Sequence, residues 1–193
     1  QHSRTGTWYA IELINTHTAN AHCKHSPRLS SRIAVSPMWF VTQTGLARRT
    51  FKYLLGSVSG AWVVRPAWVE ASLREQQWQR EEPFEVLGDM SARGGPARGR
   101  QRVAAGLPPI LTDWRFALVG KFAHPSPKRS DVELLLNKAG AVVIPDAAAL
   151  VPGDRELLLC DPLAEEREVR DAVLASGGAA AVTLTWMLDC LSA

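Results

Sequence analysis

Two stretches of this chain repeat one another at a fixed distance, and that repeat restricts the possible folds more than any other feature. GAWVVRPAWVEASL (60–73) lines up with GAAAVTLTWMLDCL (178–191): Gly60 with Gly178, Val64 with Val182, Trp68 with Trp186 and Leu73 with Leu191, every pair 118 positions apart (186 − 68 for the tryptophans). One long fixed period means two copies of a supersecondary unit. Divided over 193 residues, each copy has roughly 100, within the usual range for an independent core. An apolar fraction of 46% beside 21% charged residues is that of a folded chain rather than a polar tail.

The second copy parses completely. RFALVGKF (115–122) is a short apolar run that predicts a strand, and SDVELLLNKAG a helix with Ser130 as N-cap, Glu133 completing a capping box and Gly140 as its stop. AVVI (141–144) and ELLLC (156–160) predict buried strands around the turn-rich PDAAALVPGD. EEREVRDAVLASGG then predicts a helix with early acidic residues and a glycine stop, AAAVT a strand and LTWMLDCL a last helix. Short apolar strands alternating with helices imply a parallel sheet covered on its faces.

In the first copy RRTFKYLLG (48–56) takes the place of the helix before the fourth strand, RIAV and MWFVT that of the two paired strands, and WYAIELINTHTANAHC that of the first helix. Only QHSR precedes Thr5, so the first strand of this copy is cut away or degenerate. Between the copies lies GDMSARGGPARGRQRVAAGLPP, whose Gly, Pro and Arg content is that of a linker. The expected layout is a first unit over 1–87, a linker over 88–110 and a second unit over 111–193.

Charge and cysteine content narrow the setting. A net charge of +3 is a mild basic bias that permits an anionic partner without demanding nucleic acid. Cys23, Cys160 and Cys190 are odd in number and widely spaced, which argues against a disulfide framework and for a reducing compartment. No apolar run reaches the roughly 18 residues of a membrane span, and no secretion signal opens the chain, so no membrane association is expected. A start on Gln1 rather than Met fits a piece of a longer protein.

Chemistry enters at RRTFKYLLG. Phe51, Leu54 and Leu55 recur at helical spacing, while Arg49 and Lys52 stand one turn apart on another face. Two cations so placed are either ordinary solvated charges or half of an anion site. His17, His22, Cys23 and His25 cluster without the spacing of a zinc site, so no metal is expected. Arg93, Arg98, Arg100 and Arg102 either touch nucleic acid weakly or belong to a solvated flexible linker. Trp62, Trp68, Trp114 and Trp186 are most simply packing residues. There is no glycine-rich phosphate loop, nucleophile elbow or catalytic carboxylate pair, so neither cofactor nor small-molecule substrate is expected.

A glycine before a strand and a tryptophan in the helix after it, occurring twice in a two-unit parallel arrangement, resembles the tandem BRCT family. RRTFKYLLGSVSGAWVVRPAWVEASL, EEPFEVLGD, GPARGRQRV and AVTLTWMLDCL are similar to the branch formed by the breast cancer susceptibility type 1 proteins, plant and algal ones especially, and their RING-domain partner. The resemblance runs from about residue 45 to the end. It implies an α/β fold of two tandem BRCT domains, each a four-stranded parallel sheet flanked by helices, packed through a helical interface.

The resemblance also implies recognition of a phosphoserine followed three residues later by phenylalanine, in a nuclear DNA damage response and double-strand-break repair protein whose partners are phosphorylated repair and signalling proteins. The family's phosphate site consists of a hydroxyl, the N–H of the next glycine and a lysine, which fall here on Thr5, Gly6 and Lys52. Such a set suits a group with roughly −1.5 to −2 charges and three strong acceptors. Arg49 would face the peptide backbone, and Phe51, Leu54 and Leu188 would line an apolar pocket between the units.

Two departures from the family pattern concern that pocket. Around GKFAHPSPKRSD the chain is longer than its relatives and puts His124 or Pro125 where an Asn and an apolar residue are expected; at TLTW, Leu184 replaces an Arg. This region is expected to be non-catalytic, while a full-length relative would carry a RING-type ubiquitin ligase region elsewhere. The alternatives are a tandem BRCT scaffold or DNA-end contact without phosphate recognition and, from another class, an α/β enzyme domain.

Overall fold

The computed structural model describes residues 33–35 and 45–192. Strand β1 (Ile33–Val35) pairs in parallel with β2 (Trp62–Val64), Ala34 opposite Val63. Between them runs helix α1 (Phe51–Val58), with Thr50 as N-cap in an extended conformation, its Oγ1 accepting from the Tyr53 N–H at 3.3 Å. Thr50 thus satisfies one of the donors that every helix start leaves without a partner. Helix α2 (Ala67–Arg74) follows β2 and buries Trp68. Residues 85–89 then run beside β2 and residues 45–47, with the Val86 N–H donating to Val63 O at 2.8 Å and the Ala47 N–H to Gly88 O at 2.8 Å.

The second sheet is complete. β3 (Arg115–Val119), β4 (Val142–Ile144), β5 (Glu156–Cys160) and β6 (Ala180–Thr183) pair in parallel in the order β4-β3-β5-β6, connected by α4 (Arg129–Lys138) between β3 and β4 and α5 (Glu166–Ala175) between β5 and β6. Helix α6 (Leu184–Ser192) closes the chain. Side chains alternate across a strand. Accordingly Phe116, Leu118, Leu157 and Leu159 join Leu135, Leu136 and Met187 on one face, while Ala117, Val119 and Leu158 join Ile144 and Val173 on the other. Helices α4 and α6 cover the first face and α5 the second, which is why these strands carry continuous apolar runs.

The expected order of elements matches in this half. One boundary does not: α4 begins at Arg129 with Lys128 as N-cap, so Ser130 lies inside the helix. The expected capping box is absent because Glu133 turns to Arg129, 3.0 Å away; Glu165 and Glu168 form such a box at the start of α5 instead. The expected strand MWFVT and first helix WYAIELINTHTANAHC lie outside the described residues, as do Thr5, Gly6, His17, His22, Cys23 and His25.

The linker contains an ordered helix, α3 (Gly95–Ala104), not the solvated flexible segment its composition predicts. Pro96 suits the first turn, where a missing N–H costs nothing. Gly99 permits close approach to α1: a Cβ there would lie 1.9 Å from the Ser57 carbonyl oxygen. Gly99→Ala should therefore force the two helices apart and cost about 1–3 kcal/mol, as overpacking does, read as a lowered denaturation midpoint.

Helix α1 joins the two halves. It packs against α3 on one side and against α4 and α6 on the other. Tyr53 and Leu54 share one buried cluster with Leu135, Met187 and Leu191 of the second half. This is a helical interface between the two units.

Candidate phosphate-binding site

The start of α1 gathers positive charge. Arg48 and Arg49 precede the Thr50 cap, Lys52 stands exposed in the first turn, and that turn has no acidic residue. A helix N-terminus already carries about half a positive charge, so cations there are placed against the helix dipole at a cost of about 0.3–1 kcal/mol each. Stability alone favours carboxylates at these positions. An anion bound beside them reverses the sign of the interaction, and backbone N–H groups at a helix start are suited to such a ligand.

Apolar residues orient this charged end. Leu54 is 1% exposed, and Phe51 and Leu55 are half-buried against the interface cluster. One face of α1 is thereby fixed in the core, which leaves Lys52 on the exposed face. Arg49 is held across the interface by an ion pair with Asp189 of α6, and Leu188 beside Asp189 packs half-buried on the same cluster. The structure therefore brings Arg49, Phe51, Leu54 and Leu188 to one seam between α1 and α6, with Leu54 on its buried side. Asp189 was not legible as a partner of Arg49, although it is the one charged residue in LTWMLDCLS.

A second interface contact is polar and buried. Asp89, 1% exposed, accepts from the Ser91 and Ala92 N–H groups at 2.7 and 2.9 Å and from Ser192 Oγ at 2.7 Å. Arg98 donates to Ser192 O at 3.2 Å, so α3 and residue 89 together hold the end of α6. Burial, and after it the Asp89 carboxylate, push the Tyr53 hydroxyl above its ordinary pKa.

His124 is exposed on the loop between β3 and α4, next to the cis His124–Pro125 bond. Asp161, after β5, holds that loop. Its Oδ2 accepts from the Phe122 N–H at 2.6 Å, and its Oδ1 from Ser126 Oγ at 2.6 Å and the Leu163 N–H at 3.1 Å. Burial pushes the Asp161 carboxyl up; the hydrogen bonds from Ser126, Leu163 and Phe122 outweigh it and hold the pKa below the ordinary value. Leu184, where the resemblance leads one to expect an arginine, is 5% exposed and part of the core, so its position presents no charge to the seam.

Arg98, Arg100 and Arg102 of the linker make internal contacts. Arg100 forms a two-pronged pair with Glu85 at 2.9 and 2.5 Å and lies 3.3 Å over the Trp62 ring. Arg102 donates to Pro108 O, while Arg93 is exposed.

No family model matches the chain. It is 25% identical over 162 residues to the BREAST CANCER SUSCEPTIBILITY 1 homolog of Arabidopsis thaliana, covering 79% of this chain and 17% of that protein. It is 31% identical over 103 residues to the BRCA1-associated RING domain protein 1 of the same plant, covering 53% of this chain and 14% of that one. The crystal structure of the S. pombe Brc1 BRCT5–BRCT6 domains superposes with a TM-score of 0.50 at 18% identity, over 74% of this chain and 72% of that one. The fold is that of a tandem BRCT region. The chain is homologous to the BRCA1 and BARD1 proteins, and spans less than a fifth of the length of the two plant relatives.

Proposed function

We propose that this tandem BRCT region is a phosphopeptide-binding interaction module of a nuclear DNA damage response protein, without catalysis of its own, and that it takes a phosphoserine followed three residues on by phenylalanine. The observation that carries the reading is Lys52 on the exposed face of the first turn of α1, beside Arg48 and Arg49 and with no carboxylate in that turn. Homology to BRCA1-type proteins supports the setting. In this reading residues 1–87 form the first BRCT unit, 88–110 the linker and 111–193 the second unit. Lys52, with Thr5 and Gly6, grips the phosphate. Arg49, Phe51, His124 and Leu188 face the rest of the peptide, while Leu54, 1% exposed, serves as core behind them rather than as pocket lining, and the partners are phosphorylated repair and signalling proteins.

Titration with matched serine and phosphoserine peptides bearing phenylalanine at the third following position tests this. Each charge-assisted hydrogen bond contributes about 1.5–3 kcal/mol, so the phosphorylated peptide should bind at least about 10-fold more tightly. Equal affinity would leave a scaffold without phosphate recognition. Replacing the phenylalanine by alanine should weaken binding again; no change would remove the pocket from the reading while leaving the phosphate half intact.

A further inference from the structure

The loop between β3 and α4 carries Ser126-Pro127-Lys128-Arg129. The chain has three Ser-Pro pairs, at 26–27, 36–37 and 126–127; the third residue after serine is Leu29, Trp39 and Arg129 respectively, so only Ser126 has a cation there. A proline directly after the acceptor has no N–H and a fixed φ, and kinases that demand it have a cleft suited to both features. Many of them also favour a cation three residues on. Ala123, His124, Pro125, Pro127 and Lys128 are all exposed, and Lys128 is extended. The segment on both sides of the acceptor is thus open to a second protein.

Its hydroxyl also has a structural task. Ser126 Oγ donates at 2.6 Å to Oδ1 of Asp161, a residue 5% exposed whose other oxygen takes the Phe122 N–H. Gly120, at φ +102, lies so close that a Cβ there would meet Asp161 Cβ at 2.6 Å. The loop therefore has little slack over this carboxylate. A phosphate on Ser126 removes the donor and sets roughly −1.5 to −2 charges against the Asp161 carboxylate, a like-charge contact that repels.

We propose that Ser126 is a phosphorylation site for a proline-directed serine/threonine kinase, and that its modification releases the β3–α4 loop from Asp161. In the step, Ser126 Oγ bonds to the γ-phosphorus of ATP, the bond from that phosphorus to the β–γ bridging oxygen breaks, ADP leaves, and the hydroxyl proton passes to the kinase's base. Lys121 and Lys128, both exposed, flank the loop in sequence and offer positive charge to the new phosphate in its released position. The inference rests on the loop alone and stands whether or not α1 binds a phosphopeptide.

The 193-residue chain incubated with a proline-directed kinase and Mg-ATP, then mapped by mass spectrometry, provides the test. Phosphate is expected on Ser126, and lost from that peptide in Ser126→Ala. Modification confined to Ser26, Ser36 or Ser130, or none at all, overturns the assignment. Brief trypsin digestion then reads the release: cleavage after Lys121, next to the buried Phe122, should be several-fold faster in the phosphorylated chain than in the unmodified one. A stoichiometric phosphate on Ser126 with an unchanged cleavage rate overturns the release.

Discussion

Trp68→Ala should lower the stability of the first unit by about 3–5 kcal/mol, the range for removing a buried aromatic ring. Trp68 is 2% exposed, stacks on Trp78 with ring centroids 5.2 Å apart and planes 15° apart, and donates from Nε1 to Gln79 O at 2.9 Å. Truncation loses the ring's contacts with Val64 and Phe84, opens a cavity and leaves that carbonyl without its donor. Trp186, its counterpart in the repeat, is only half-buried and meets Trp114 at a tilted 45° with centroids 5.9 Å apart. Trp186→Ala should cost less. Urea denaturation of both variants checks the order; equal losses, or no loss in Trp68→Ala, would contradict the packing described.

The different fates of the two tryptophans show where sequence reasoning stops. The repeat identified them as equivalent, and both do follow a strand into a helix. Their burial differs because the local packing differs: Trp78 and Phe84 pack against Trp68, whereas Trp186 meets Trp114 at a tilt and stays half-open. The contrast reverses for the leucines: Leu191 is 4% exposed because α6 lies in the interface between the units, whereas Leu73 is 64% exposed on the open flank of α2. Position along a repeat predicts the element, whereas packing across units sets the burial.

The second sheet was legible because its central strands β3 and β5 are buried on both faces, and an apolar run such as LLL in 157–159 admits few other uses. Helix α3 was not legible. GGPARGR reads as a turn-former and linker, but Pro96 occupies the one helical turn that tolerates proline, and Gly99 is required by the approach of α1 rather than by a bend. A contact 42 residues away along the chain, from Ser57 to Gly99, overrode local propensity. Ser130 failed as a cap because the helix starts two residues earlier, with Lys128 as N-cap and Arg129 pairing with Glu133. At the candidate site Lys52 and Arg49 were expected one turn apart on one helix; Arg49 instead precedes the Thr50 cap, and its ion pair with Asp189, 140 positions away, is revealed only by the fold.

Lys52→Met should weaken binding of a phosphoserine peptide by about 10- to 100-fold while leaving binding of the unphosphorylated peptide unchanged, because one charge-assisted bond contributes about 1.5–3 kcal/mol. The fold should not suffer. The side chain is exposed, and a methionine retains its apolar stem while removing a cation from the positive end of α1. A thermal midpoint equal to or slightly above that of the parent is therefore expected, and a fall of several degrees would mean that Lys52 serves the structure. Lys52→Arg separates charge from geometry: it keeps the cation but exchanges a compact ammonium for a planar fork, so part of the affinity should return. Salt supplies an independent check. If Lys52 acts through charge at an exposed site, raising ionic strength should erode the preference for the phosphorylated peptide in the parent chain and have little left to erode in Lys52→Met. A salt dependence identical in both would place the anion on other cations, with Arg48 the next candidate by its position before the same helix.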